Sequence, residues 1–263
     1  MKIGIIGAGN MGGSIAVGLA SCGVVTARDI VLCDPNEHTL MCFHDQYPDM
    51  NVSTDNAAAV DGTDIIFVVV KPWLIDEVMK PLLDKIDFKR QALVSVVAGV
   101  TLEHLAEYAG ADSRHAALFR MIPNLAIAYR QSMSFVAQRC ADEQRVAAVC
   151  DLLRAVGEVM VVEERQMGAC TALSSCGIAY VMRYIRAACE GGVELGLYPN
   201  QARTIMLQTM AGAVALLNAT GSHPEVEIDR VTTPGGITIK GLNAMEANGF
   251  TRAVIEGLKA SAK

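Results

Sequence analysis

Two stretches of this chain place side-chain-free residues just ahead of a helical pattern, where bare backbone N–H groups can meet an anion. Near the N-terminus, IIGAGNMGGS carries Gly7, Gly9 and Gly12 in the spacing G-x-G-x-x-G, between the apolar run KIGIIG and a helical run. In that setting Gly7 permits the tight turn, Gly9 lets backbone approach a pyrophosphate, and Gly12 lets helix and strand pack closely. Ala8, Asn10 and Met11 complete the turn and the helix start. The next apolar run, DIVLCD, ends at Asp34, 22 residues beyond Gly12. An acid there suits a ribose 2′-hydroxyl and repels a 2′-phosphate. The turn is therefore expected to hold a nicotinamide dinucleotide, NADPH or NADH, with Asp34 tilting the balance slightly toward NADH.

The second stretch is RVTTPGGITIKGL, residues 230–242. Its middle, 232–239, has no acid, no base and no metal ligand. It offers Thr233, Gly235, Gly236, Ile237 and Thr238 around Pro234. On spacing alone, two readings stand. It is a Pro-Gly turn capping a helix, or a cradle of amides and hydroxyls for a small carboxylate.

The elements that must position these residues follow from periodicity. KIGIIG, DIVLCD, DIIFVVV and ALVSVVAG are short, continuous, β-branched runs alternating with helical patterns over 13–22, 36–46, about 72–85 and from Thr101. Such runs are strands buried on both faces, so a parallel sheet covered by helices is expected. MSFVA and EVMVVEE read as later strands flanking a helix near 142–154. From Glu163 onward strand signals stop. Residues 166–196 form one long helical pattern ended by Gly196 and Pro199, and 200–218 form another, rich in Ala, Met and Leu. Helices so apolar must be buried, and a domain of this size suggests burial against another subunit. The fold expected is an α/β Rossmann-type, doubly wound N-terminal domain over 1–162, followed by an all-α domain over 163–263. Ligands of such sheets bind outside the carboxyl ends of the strands. Those ends carry Val69, Val70, Lys71 and Pro72, then Ala98, then Asn124. Lys71 is either a solvated loop charge or a neighbour of the cofactor.

Bulk properties narrow the classes. A net charge of −6 gives no basic footprint for nucleic acid or anionic lipid. No apolar run reaches the length of a membrane span, and Met1-Lys2 leads straight into a strand rather than a signal peptide. The eight cysteines are scattered with no CxxC, which reads as thiols in a reducing cytoplasm. The five histidines are equally dispersed, so no metal site is expected.

Taken together, GAGNMGGSIA (7–16), Asn56, VVKP (69–72), AGV (98–100), MIPN (121–124), VEE (162–164), TALSSCGIAY (171–180), GGVELGL (191–197) and DRVTTPGGITIKGL (229–242) resemble the pyrroline-5-carboxylate reductases. The resemblance runs over essentially the whole length, and its last element is the most specific. Asp34-Pro35 stands where members usually carry asparagine-arginine, Leu125-Ala126 where they carry threonine-proline, and Ser175, Cys176 and Ile178 also depart from the usual pattern.

The resemblance implies NAD(P)H-dependent reduction of L-1-pyrroline-5-carboxylate to L-proline. It adds Asn56 to the cofactor residues and places Glu164 near the substrate. It settles the second stretch as a cradle, in which the amides of Gly236, Ile237 and Thr238, with Gly235 and Thr233, hold the substrate carboxylate. Hydride transfer to C=N is easiest once nitrogen is protonated, and a cyclic imine can take that proton from solvent. Positioning and electrostatics then carry the work. Thr238, as hydrogen-bond partner or proton relay to the ring nitrogen, is the catalytic candidate. His223, beside Pro224, reads as a turn residue. The long apolar helices predict a homodimer through the C-terminal domain, with a site that combines one subunit's cofactor domain with the partner's 229–240 segment, and the resemblance implies that dimers assemble further, up to a decamer.

Two rivals make different demands. A β-hydroxyacid dehydrogenase needs a catalytic lysine in the first long helix of its second domain. No lysine lies between Lys89 and Lys240. A non-catalytic dinucleotide sensor would keep Gly7, Gly9 and Gly12 but has no use for Thr233–Thr238.

Overall fold

The structure, a computed structural model, describes residues 1–140 and 142–262. The chain divides into two compact units, Met1–Ser175 and Cys176–Lys263.

The first unit is built on one eight-stranded sheet. In chain order its strands are β1 (Ile3–Ile6), β2 (Ile30–Cys33), β3 (Asn51–Ser53), β4 (Ile65–Val68), β5 (Ala92–Ser95), β6 (Ala117–Ile122), β7 (Ser132–Arg139) and β8 (Gly157–Val161). The spatial order is β3-β2-β1-β4-β5-β6-β7-β8. All neighbours are parallel except β6 and β7, which run antiparallel. Helices α1 (Asn10–Ala20), α2 (Glu37–Gln46), α3 (Ile75–Met79), α4 (Leu102–Ala109) and α5 (Glu143–Arg154) connect them.

Strand side chains alternate between two cores. Ile3, Ile5, Leu32, Phe67, Val94 and Phe119 pack with Ile15 and Leu19 of α1 and Leu152 of α5. Ile6, Ile66, Val68, Leu93 and Leu118 pack with Met79 of α3 and Leu105 of α4 on the opposite face. Burial on both faces is why these strands read as unbroken apolar runs. The chain leaves β1 toward β2 on one side and returns through β4 on the other. The carboxyl ends of β1 and β4 are thus the switch point where such sheets bind ligands.

Three local features differ from the periodic pattern. The expected helix over 72–85 is instead a 3₁₀ turn (Pro72–Leu74), the short α3 and a second 3₁₀ turn (Lys80–Leu82). Pro81 lacks an N–H and cannot continue an α-helical ladder. Strand β3 has only three residues, NVS, too few to show a period. The long helical run from 166 is α6 (Met167–Cys170), a π-helical turn (Thr171–Cys176) and α7 (Gly177–Glu194). Residues 163–175, which the helical pattern groups with the second domain, stay with the sheet unit. Met167 and Ala172 are buried there, and the Ser174 hydroxyl donates to the Met133 carbonyl of β7 at 3.2 Å.

The second unit contains α7, α8 (Pro199–Thr220), α9 (Pro224–Val231), α10 (Ile237–Ala247) and α11 (Phe250–Ser261). Pro199 opens α8 at a position where its missing N–H costs nothing, and Gly221 closes it in a left-handed conformation, φ +62°. The Tyr180 hydroxyl of α7 bonds Ser261 of α11. Among the described residues, α10 and α11 bury no side chain, and α8 buries only Ala202. Ile205, Leu207, Val214 and Leu216 of α8 are exposed. Among the described residues no helix is long and apolar enough to cross a membrane.

Candidate active site

The glycine turn is stitched to the sheet on every side. Gly7 follows β1 at φ +105°, and a Cβ there would lie 2.4 Å from the Val69 carbonyl oxygen. A Cβ on Gly12 would lie 1.8 Å from the Gly7 carbonyl oxygen. Gly9 is the opposite case: its missing Cβ would meet nothing within 4 Å. Gly9 also caps α1 without a side-chain hydrogen bond, and the first turn of α1 carries no acid. The first N–H groups of a helix have no partner inside it. Those at Asn10, Met11 and Gly12 therefore bring an unopposed positive helix end to open space beside Gly9. This is the fit a pyrophosphate requires. A cleft of about 600 Å³ adjoins the turn, lined by Ala8, Gly9, Asn10, Ser14, Thr39 and Phe43 among others.

The end of β2 holds the turn from below. The Gly7 N–H donates to the Cys33 carbonyl at 2.7 Å. The Ala8 N–H donates to Asp34 Oδ2 at 2.8 Å, and the Asn36 N–H donates to Asp34 Oδ1 at 2.9 Å. Burial pushes the Cys33 thiol up to about 11. It stays protonated at neutral pH, donates to the Asp55 carbonyl at 3.3 Å, and cannot serve as a nucleophile.

The remaining cofactor candidates line the carboxyl edge of the sheet. Val69 and Val70 extend β4, and the Val69 N–H donates to the Ile6 carbonyl at 2.8 Å, tying β4 to the glycine turn. Exposed Lys71 caps the 3₁₀ turn that Pro72 opens. Asn56 starts a 3₁₀ turn that Asp55 caps, its Oδ1 accepting from the Ala57 N–H at 2.9 Å. Ala98 is exposed after β5. Asn124 is buried, and its polar atoms serve the fold. Its Nδ2 donates to the Ser174 Oγ at 3.1 Å, its Oδ1 accepts from the Ala126 N–H, and its own N–H donates to Ser132 Oγ.

Glu164 sits at the end of this edge in a network invisible to short-range sequence patterns. Its Oε1 accepts from the Leu102 N–H at the start of α4, 2.7 Å away, and from Arg120 Nη1, 2.6 Å away. Arg120 is a mostly buried cation in the otherwise apolar strand ALFRMI. A lone arginine in a buried strand demands a partner, and that is the signal that could have joined it to Glu164. Ser174, which orients Asn124, left no comparable signal, because the π-helical turn that aims it is set by tertiary packing.

In the second unit the Thr233–Thr238 stretch forms its own cradle. The Gly236 N–H donates to the Thr233 carbonyl at 2.9 Å, closing a turn with Gly235 at φ +72°. Gly236 is the N-cap of α10, with no side-chain cap and no acid in the first turn. The Gly236 amide is thus spent on the turn, and the amides of Ile237 and Thr238 are the unpartnered donors of the first helical turn. Thr233, Gly235, Ile237 and Thr238 are all exposed. His223 is the N-cap of α9, its Nδ1 accepting from the Glu225 N–H at 3.3 Å, which is a turn role.

Known proteins match both units. Residues 164–263 match a family model described as pyrroline-5-carboxylate reductase dimerisation, and residues 2–99 match one described as NADP oxidoreductase, coenzyme F420-dependent. Pyrroline-5-carboxylate reductase 2 of Dictyostelium discoideum is 33% identical over 100% of this chain and 91% of its own length. The pyrroline-5-carboxylate reductase structure from Coxiella burnetii superposes with a TM-score of 0.86 at 26% identity, covering 99% of this chain and 96% of that one. The pyrroline carboxylate reductase of Plasmodium falciparum, solved with NADP bound, shares the fold with a TM-score of 0.89 at 24% identity, covering 100% of this chain and 95% of that one.

Proposed function

This chain belongs to the pyrroline-5-carboxylate reductase family, and we propose that its two uncapped helix starts divide the reaction between them. The enzyme catalyses NAD(P)H-dependent reduction of L-1-pyrroline-5-carboxylate to L-proline, the closing step of proline synthesis. The observation that carries this reading is the full-length identity to a curated reductase, within which both glycine-opened helices fall.

The first unit supplies the nucleotide half. The open backbone at Gly9 and the amides of Asn10, Met11 and Gly12 receive the pyrophosphate. Asp34, Asn56, Val69, Val70, Lys71, Pro72, Ala98 and Asn124 border the rest. When bound, the reduced nicotinamide supplies a hydride.

The second unit supplies the substrate half. The Ile237 and Thr238 amides and the Thr233 hydroxyl hold the carboxylate, with Gly235 and Gly236 keeping the approach open. The imine carbon accepts the hydride, and the C=N electron pair passes to a nitrogen that already carries a proton from water. The Thr238 hydroxyl hydrogen-bonds that nitrogen and fixes the ring. Glu164 offsets the positive ring charge through the carboxylate oxygen not engaged by Leu102 and Arg120. No step demands a strong acid from the protein, so positioning and electrostatics account for the acceleration.

The enzyme is an oligomer, and we place the homodimer contact on the helices of 163–263. In support, an apolar groove of about 660 Å³ runs between α7, α8, α10 and α11, lined by Tyr180, Tyr184, Met210, Met245, Phe250 and Val254. Exposed apolar surface on this scale marks an interaction site. Assembly of dimers to a decamer, and a cytoplasmic location, complete the proposal. Light scattering after size exclusion tests the assembly, and a fully active monomer would refute it. The activity itself is tested by product analysis. L-Proline should form in step with nucleotide oxidation, and oxidation without proline would contradict the reading.

A further inference from the structure

We infer that Asp34 is a positioning residue of the glycine turn, and that its charge makes this reductase an NADH rather than an NADPH enzyme. This rests on the nicotinamide-nucleotide reading above. The first two amides of the turn are both held by the end of β2: Gly7 by the Cys33 carbonyl, Ala8 by Asp34 Oδ2. The other carboxylate oxygen is fixed by the Asn36 N–H, and the Asp34 N–H itself donates to the Ser53 carbonyl of β3 at 3.2 Å. Asp34 is half-buried, so this carboxylate is a rigid brace rather than a solvated side chain. It acts on the nucleotide first through the peptide at Ala8–Gly9, and only then through its field.

That field is uncompensated. β2, α2, β3 and the 56–59 turn contain no Lys or Arg, and none occurs between Arg28 and Lys71. Arg28 is committed to Asp49 at 3.3 Å. Glu37, in the first turn of α2, adds a second acid beside Asp34, and the bases on α2 are His38 and His44. A 2′-phosphate carries nearly two negative charges where NADH has a neutral hydroxyl. On this edge it meets the fixed Asp34 carboxylate and the exposed Glu37, with no guanidinium or ammonium from these elements to offset them, whereas a neutral hydroxyl meets no such repulsion.

The test is titration calorimetry of NADH and NADPH on the cofactor-free full chain without imine, so that no turnover enters. The wild type should bind NADH at least about tenfold tighter, as expected where a neutral hydroxyl is replaced by a phosphate that the carboxylate's field repels. Asp34→Asn keeps an acceptor for the Ala8 N–H and removes the charge. NADPH should tighten and the gap should close, with NADH held within about threefold. Asp34→Ala removes the brace and the charge together: NADH should weaken by about tenfold, while NADPH, losing the brace but escaping the repulsion, should stay within about threefold of the wild type. Hydrogen exchange of the backbone amides around Ala8 should then quicken in the nucleotide-free protein. Equal binding of both nucleotides by the wild type overturns this inference alone. So does an Asp34→Asn protein that loses NADH affinity as far as Asp34→Ala does, because the carboxylate would then act on the ribose directly. Binding of neither nucleotide overturns the cofactor reading and this inference with it.

Discussion

The two glycine-opened helix starts use the same physics in different surroundings. At α1, a glycine at φ +105° precedes an uncapped helix end, and at α10 a glycine at φ +72° does the same. The first is enclosed: the Cys33 carbonyl of β2 accepts from the Gly7 amide, Val69 beyond β4 donates to the Ile6 carbonyl of β1 and crowds Gly7, and of the three motif glycines Gly9 alone leaves space for a Cβ. The second stands on its own turn, with one hydrogen bond from Gly236 to Thr233 and exposed residues around it. A turn that must receive a large dinucleotide is pre-formed by a sheet. A turn that must receive a five-membered ring and its carboxylate is held only locally, on a unit whose apolar helix faces are still uncovered in the single chain.

That contrast can be broken by substitution. The largest effect is expected from Gly12→Ala, whose new methyl would lie 1.8 Å from the Gly7 carbonyl oxygen. The strain should cost about 2–4 kcal/mol of stability and abolish nucleotide binding, read by thermal melting and calorimetry. Next, Thr238→Ala should lower kcat/KM for the imine by one to about three kcal/mol while NADH affinity stays intact, because a single hydrogen bond to a charged partner is lost. Unchanged kinetics would remove Thr238 from the mechanism. Gly9→Ala sharpens the comparison within α1. Its methyl would meet nothing within 4 Å, so melting should not change, yet nucleotide affinity should fall by roughly 1–2 kcal/mol as the methyl occupies the phosphate approach. The smallest effect is expected from Gly235→Ala. There is space for the methyl, and only the positive φ opposes it, at about 1 kcal/mol. The melting temperature should fall slightly and the imine KM should rise. A large loss of nucleotide binding in this variant would dissolve the division between the two starts.

Much of this was legible in the sequence because the responsible forces are local. Continuous β-branched runs marked the strands, and the G-x-G-x-x-G spacing marked the phosphate turn, since burial on both faces and close backbone approach each dictate composition directly. Thr233–Thr238 was legible as an amide-rich helix start, and which of its amides is spent, Gly236, appeared only with the turn's geometry. What escaped the sequence depends on distant partners. Arg120 reaches Glu164 across 44 residues, and Ser174 reaches Asn124 across 50. The π-helical turn at Thr171–Cys176 contains no Gly or Pro to set it apart from the helices on either side of it. Asp34 was readable as an acid at the end of a strand, but its bond to the Ala8 amide needed the sheet to bring β1 and β2 together. Pro81 was a visible helix breaker inside the run from Pro72, and its effect is the one local departure that periodicity overrode.

The most direct test of the account is nucleotide oxidation followed by absorbance after adding pyrroline-5-carboxylate to the purified full chain, with NADH and NADPH compared at equal concentration. The account predicts turnover with L-proline as product and a faster rate at limiting NADH than at limiting NADPH. Protein that binds the nucleotide at the first helix start yet shows no oxidation with this imine would contradict it.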